Sequence, residues 1–328
     1  MKALVYKGTE DTAIMDWADP APGPDEVLVA VSHSGICGSD MHAWHGHDAR
    51  RVPPMILGHE ASGTILGGPR DGERVTINPL VSCGECSHCT AGDVHLCEQR
   101  TLLGMGYPGA YAEQIAVRSA RALPLQAGTS FATAALTEPL ACAVHGVKLA
   151  LPVLRKAPAD TDVVVLGGGA IGLLAALVFA EYGFSRVRIA ETNDTRRRML
   201  GDCLAATPYD PINAPAHDSS ADLVFDAVGS GRTRAAASAM VRPGGTIIHI
   251  GLQDGAEGLD TRRITLQEIA FIGTYCYRDA DFVEALSLLE SGRISGEGWT
   301  EYRPLDAGPQ SFHDIDQGKA PPKIILQV

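Results

Sequence analysis

The chain has 328 residues, 45% of them hydrophobic and only 5% aromatic, with a formal net charge of −12 at pH 7. That length leaves room for two ordinary globular domains. So acidic a balance disfavours nucleic acid and anionic membranes, either of which would need a concentrated basic patch. The basic clusters, Arg50-Arg51 and Arg196 to Arg198, are too small to reverse this and read as solvated surface.

Met1-Lys-Ala-Leu-Val-Tyr reads as a first strand and not as a basic region before a long apolar core, so no signal peptide is expected. A cytoplasmic home fits, because it keeps thiols reduced and available for metal. Up to about residue 145 short alternating segments are divided by Gly and Pro turns, without long helical periodicity. This is the texture of a folded β-barrel-like unit. Within it, Cys37-Gly38-Ser39-Asp40-Met41-His42 is followed by Gly58-His59-Glu60. One thiolate, one imidazole and one or two carboxylates form a mixed donor set that leaves a position for water or substrate, as catalytic zinc sites do. Singly these residues say little, since a lone cysteine is usually a small buried hydrophobe. Their order, together with the cysteine and glutamate motifs downstream, gives them weight.

Next come Cys83, Cys86, Cys89 and Cys97, spaced C-x2-C-x2-C-x7-C. Two-residue gaps let short loops fold back on a common centre, so four thiolates can wrap one tetrahedral ion. A disulfide pair or an iron-sulfur loop would use the same residues, but no proline follows Cys97 as in the bacterial ferredoxin run, and structural zinc fits best. Thr137-Glu138-Pro139-Leu140 completes the series.

From about residue 160 strand and helix alternate: Val163 to Leu166, Ile171 to Tyr182, Val187 to Ala190, Thr195 to Leu204, Leu223 to Ala227, Thr233 to Val241, Thr246 to Ile250. Such alternation builds a doubly wound parallel sheet with helices on both faces. Thr207 to Ser220 is short for the usual third strand and its helix, so that part is expected to be trimmed. Gly167, Gly169 and Gly172 form a G-x-G-x-x-G turn after a strand, with Ala170 and Ile171 opening the helix whose free N–H groups suit a pyrophosphate. A second strand ends at Glu191, an acid placed to accept both ribose hydroxyls and so to favour NAD. Arg196 leaves NADP open, since it could instead meet a 2′-phosphate. Val163 to Ala180 holds 18 consecutive uncharged residues, yet its glycines argue for a buried strand, turn and helix and not for a membrane span.

With these motifs in place, the chain resembles the zinc-dependent medium-chain alcohol and polyol dehydrogenases, from Met1-Lys-Ala to Pro321-Pro-Lys-Ile. Glu138 in Glu-Pro-Leu makes it similar to the sorbitol, threonine and butanediol dehydrogenase branch. The resemblance implies a GroES-like β-barrel catalytic domain over 1–145, with a structural zinc lobe at about 80–100, a Rossmann domain over 146–290, and a return of 291–328 to the first domain. It also implies Cys37 and His59 as ligands of a catalytic zinc, with Glu60 or Glu138 binding directly or through water. Ser39 then takes the alcohol proton and passes it by the cofactor ribose to His42, and Asp40 fixes the tautomer of His59. Val228, Gly251 and Thr274 fall in segments that line the cofactor. Cys276 stands where sorbitol dehydrogenases carry an arginine, which argues against sorbitol itself, and Trp44, His45, His47 and Arg50 lie in a loop that shapes the substrate pocket.

The expected protein is therefore a two-zinc, NAD-dependent dehydrogenase of a secondary alcohol or polyol, a homodimer or homotetramer. An NADPH-dependent aldehyde or ketone reductase shares every motif. A non-catalytic zinc-binding interaction protein would need neither a second zinc nor a nucleotide.

Overall fold

The computed structural model describes residues 1–203 and 206–328. They divide into two compact units, one of Met1–Pro139, Arg278–Gly296 and Thr300–Val328, the other of Leu140–Tyr277 and Glu297–Trp299.

The first unit is built on the ten-residue strand Glu26–Gly35. It pairs antiparallel with Glu60–Leu66, Gln114–Arg118 and Lys323–Gln327. The sheet runs Ala122–Pro124, Arg74–Ile77, Glu60–Leu66, Glu26–Gly35, Lys323–Gln327, Thr300–Pro304. Because successive side chains alternate between faces, Val29 and Val31, Val75 and Ile77, and Ile115 and Val117 converge in one buried cluster. A second cluster gathers Leu4, Trp44, Tyr111, Phe312 and Ile324 beside the small sheet of Lys2–Gly8, Asp11–Asp16 and Met55–Ile56. Each such fully buried side chain contributes about 1.5–3 kcal/mol. Register decides where the chemistry falls: Gly35 lies opposite Glu60 on one side and opposite Ile325 on the other.

The second unit is a six-stranded parallel sheet in the order Thr207–Tyr209, Arg186–Ala190, Asp162–Leu166, Ala221–Asp226, Val241–His249, Ala270–Gly273. Its strands carry near-continuous runs of Val, Leu and Ile, as a sheet covered on both faces requires. The helices Ala170–Glu181, Asp194–Cys203 and Gly231–Met240 follow the expected alternation. The expected end of the second of these at Leu204 lies outside the described residues. Thr207–Tyr209 is a three-residue strand and, among the described residues, no helix separates it from the strand beginning at Ala221, so this part of the unit is trimmed as expected.

Three elements differ from the sequence reading. Helix Thr137–Ala150 occupies a stretch read as lacking helical periodicity. It is apolar on nearly every side, so no stripe marks it, and Glu138 sits in its first turn. The helical run Phe131–Val153 passes the length and hydropathy test for a membrane span, but 78% of its most apolar window is buried inside the protein, which makes it a core element. Strand Val241–His249 starts five residues before the expected Thr246, through Pro243-Gly244-Gly245, whose turn-forming residues disguise it. Helix Gly308–Asp316 lies in the returning segment 291–328, where the sequence reading placed no helix.

Candidate functional site

The four cysteines come together as their spacing requires. Cys83 and Cys89 sulfurs lie 3.8 Å apart, Cys86 and Cys89 3.5 Å, and Cys97 and Cys83 3.5 Å. A disulfide would hold sulfurs at about 2.05 Å. Ligands at about 2.3 Å from a tetrahedral zinc stand about 3.8 Å apart, so this cage fits the ion. The backbone N–H groups of Glu85 and Cys86 aimed at Cys83 push its thiol down to about 6, favouring the thiolate a metal needs. Helix Ser87–Thr90 and the turn Val94–Leu96 position the third and fourth sulfurs. Arg278 Nε donates to Asp93 at 2.6 Å beside this turn, which ties that arginine to the lobe.

The mixed set is assembled from two pieces of the first unit. Cys37 caps the helix Gly38–Trp44, and His59 and Glu60 stand at the start of strand Glu60–Leu66. Donor atoms of Cys37, His59 and Glu60 all lie within 4.8 Å of one another. Asp40 Oδ1 and His59 Nδ1 are 3.6 Å apart, and neither atom has a hydrogen-bond partner among the described residues. His59 thus turns its Nδ1 towards the Asp40 carboxylate. The other Asp40 oxygen accepts from the Tyr111 hydroxyl at 2.6 Å and from the Cys37 amide at 3.1 Å.

Burial, followed by the Glu60 charge, pushes the Cys37 thiol up to about 11. Burial likewise raises Glu138 to about 8, with Glu60 and Cys37 adding to the rise. Glu138 is outside the group of three donor atoms, yet it is buried and senses their charges. A dication among these acids would reverse both shifts, so the residues fit a bound zinc ion.

Four residues of the site carry no local signal. Lys323, buried at 3% exposure, donates to both Glu60 oxygens at 2.8 and 2.7 Å and to the Ile36 carbonyl at 2.9 Å. Burial alone would lower its pKa, but Glu60 and then Cys37 hold it above the ordinary lysine value. Gly35 makes room for that carboxylate: a Cβ there would stand 2.0 Å from Glu60 Oε2. Tyr111 supports Asp40. Arg51 is the correction to the reading of Arg50-Arg51 as solvated surface, because its side chain is buried and reaches Ser39. A charged dipeptide gives no hint that one member turns inward. Trp44 is also placed differently from expectation: it is 1% exposed in the core against Phe312 and His313. Ser39 and His42 stand three residues apart on helix Gly38–Trp44, hence on one face. Burial, then His47 and His45, hold His42 below the ordinary histidine value.

In the second unit Gly167, Gly169, Ala170, Ile171 and Gly172 form the turn into helix Ala170–Glu181. Gly172 packs so closely that a Cβ would meet the Gly167 carbonyl oxygen at 1.9 Å. Glu191 is buried at 5% exposure and accepts from the Gly168 amide at 3.0 Å and the Asn193 amide at 2.7 Å. Arg196 Nε lies 3.3 Å from it and Arg197 donates to its carbonyl at 2.8 Å, so these two arginines are also not free surface, whereas Arg198 is exposed. Val228 and Gly251 touch at the ends of their strands, where a Cβ on Gly251 would stand 2.1 Å from the Val228 carbonyl carbon. Thr274 bonds through its amide to His249, and its buried hydroxyl has no partner among the described residues, an orphan suited to a bound polar ligand.

A thiolate cage and a mixed buried metal site on one unit, with a Gly-rich parallel sheet on the other, define the class of metal-dependent nucleotide-linked oxidoreductases. The alcohol dehydrogenase GroES-like domain family matches residues 23–127, and the zinc-binding dehydrogenase family matches residues 170–291. The 2-dehydro-3-deoxy-L-galactonate 5-dehydrogenase of Pseudoalteromonas atlantica is 32% identical over 90% of this chain and 89% of its own length. Sorbitol dehydrogenase of Halalkalibacterium halodurans is 32% identical over 98% and 97%. Among solved structures, a zinc-binding dehydrogenase of Sinorhizobium meliloti 1021 bound to NADP superposes with a TM-score of 0.88 at 27% identity, covering 100% and 99% of the two chains. An alcohol dehydrogenase from Thermus sp. ATN1 gives 0.88 at 27%, covering both chains completely. The chain belongs to the zinc-dependent medium-chain alcohol and polyol dehydrogenases. It is an oxidoreductase acting on CH–OH groups, with a GroES-like domain and a Rossmann domain.

Proposed function

We propose that the enzyme oxidises a secondary hydroxyl of a polyol or sugar acid with NAD, holding two zinc ions per chain. The observation that carries this reading is the clustering of Cys37, His59 and Glu60 donor atoms within 4.8 Å, with Asp40 behind His59. Zinc there supplies positive charge that lowers the pKa of a bound alcohol, and NAD supplies the hydride acceptor. Cys37 and His59 hold the ion, while Glu60 and Glu138 are the carboxylates available to it. Ser39 takes the alcohol proton, and His42, kept neutral by its lowered pKa, is the next acceptor on the same helix face. Polyol and sugar-acid dehydrogenases among the relatives support a polyhydroxylated substrate. The reduced thiols of the metal centres favour the cytoplasm, and a homodimer or homotetramer is the proposed assembly.

Elemental analysis of protein purified with zinc is expected to give about two ions per chain. Cys97→Ser is expected to remove one of them and lower Tm while leaving chemistry at the other centre. A stoichiometry near one with full activity contradicts the two-site reading.

A panel of polyols and sugar acids assayed with both nucleotides tests substrate class and cofactor together. The buried Glu191 carboxylate would face a 2′-phosphate as a like charge, so kcat/KM is expected to favour NAD by about tenfold or more. NADP is the second reading, favoured by Arg196 at 3.3 Å from Glu191 and by the NADP-bound neighbour. A preference for NADP that survives Glu191→Ala assigns the phosphate to Arg196.

A further inference from the structure

We propose that Arg51 is a positioning residue for proton transfer, fixing the direction in which the Ser39 hydroxyl accepts and donates; this rests on the reading of Ser39 as the proton acceptor. The Arg51 side chain is 1% exposed, so its bonds are made in a low-dielectric interior. Nε donates to the Gly104 carbonyl at 2.9 Å, and Nη1 donates to the Ser39 carbonyl at 2.9 Å and to Asp48 Oδ2 at 3.0 Å. Nη2 donates to Ser39 Oγ at 3.3 Å and lies 3.9 Å from Asp40 Oδ1. One guanidinium therefore grips both the backbone and the hydroxyl of Ser39 and anchors them to two other loops.

A guanidinium can only donate, and it cannot be deprotonated under working conditions. A serine hydroxyl has one hydrogen and two acceptor positions. With one acceptor position taken by Nη2, the hydrogen of Ser39 cannot point at Arg51. One lone pair and one O–H remain, the O–H within hydrogen-bonding reach of Cys37, and together they are the minimum set for a relay. As the alcohol O–H bond breaks, its proton joins the free lone pair of Ser39, and the proton already on Ser39 leaves to the next acceptor. Arg51 exchanges nothing and Ser39 ends as it began. A lysine in this place could reach one or two of these acceptors but lacks the planar fork that holds Oγ and the carbonyl together.

The test is a double-mutant cycle of Arg51→Lys and Ser39→Ala, read as kcat, KM, zinc content and Tm. Arg51→Lys alone is expected to lower kcat by roughly 10- to 100-fold, the effect of loosening a reacting group by about an ångström. KM is expected to stay within about twofold and zinc content unchanged. In the Ser39→Ala background the same substitution should change kcat by less than about twofold, because the group through which Arg51 acts is gone. An equal loss in both backgrounds, or no loss in either, overturns the proposal and leaves Arg51 as packing. Wild-type kcat in Ser39→Ala alone overturns instead the reading of Ser39 as proton acceptor, and the role of Arg51 falls with it. Should Arg51→Lys fail to fold, Asp48→Ala, which removes the side-chain acceptor of Nη1, replaces it in the cycle under the same criteria.

Discussion

Cys37→Ala is expected to lower kcat by at least about a thousandfold and to bring zinc from two ions per chain to one, with the fold intact. The charge stabilisation a zinc ion gives a developing alkoxide amounts to several kcal/mol, and about 4 kcal/mol corresponds to a factor of about 1,000. The cost to the fold is small because the change leaves only a small gap and the Cys37 amide keeps its bond to the Asp40 carboxylate at the start of the helix. Circular dichroism and Tm therefore serve as the control. Turnover within tenfold of wild type after zinc is shown to be lost from this centre would remove the metal from the chemistry.

Lys323→Met is expected to destabilise the protein by about 3–5 kcal/mol, the usual cost of removing one partner of a buried ion pair. Both side chains are almost completely buried, and the Glu60 carboxylate takes two hydrogen bonds from the one ammonium group. The loss should be smaller in zinc-loaded than in zinc-depleted protein, because the dication also offsets the Glu60 charge. Pairing the change with Glu60→Gln should recover most of it, since no unpaired charge is then left inside. Urea unfolding of the single and double variants measures this. A single variant within about 1 kcal/mol of wild type would show that Glu60 takes up a proton at little cost.

The two donor clusters are readable in the sequence because their members are local. Cys83 to Cys97 fold on themselves, and Cys37 to Glu60 are a helix cap and the beginning of one strand. The dinucleotide turn is readable for the same reason, since strand, glycines and helix are contiguous between Asp162 and Glu181. The features that sequence hides depend on pairing between distant segments. Lys323 reaches Glu60 only because Lys323–Gln327 adds to the strand Glu26–Gly35. Arg51 is buried by the loops carrying Asp48 and Gly104, and a pair of arginines looks the same in sequence whether or not one turns inward. Helix Thr137–Ala150 leaves no mark because helical periodicity shows only where one face meets water. A helix buried on nearly every side has little such contrast.

The hydrogen bonds from Lys323 to Glu60 span 263 positions of the chain. At about 5–20 residues per second of synthesis, Glu60 is made roughly 13–53 s before its counter-charge. Until residue 323 is added, the Glu60 carboxylate lacks the ammonium that pairs with it in the finished sheet. The first unit therefore reaches its final charge balance only when the end of the chain joins its oldest strands.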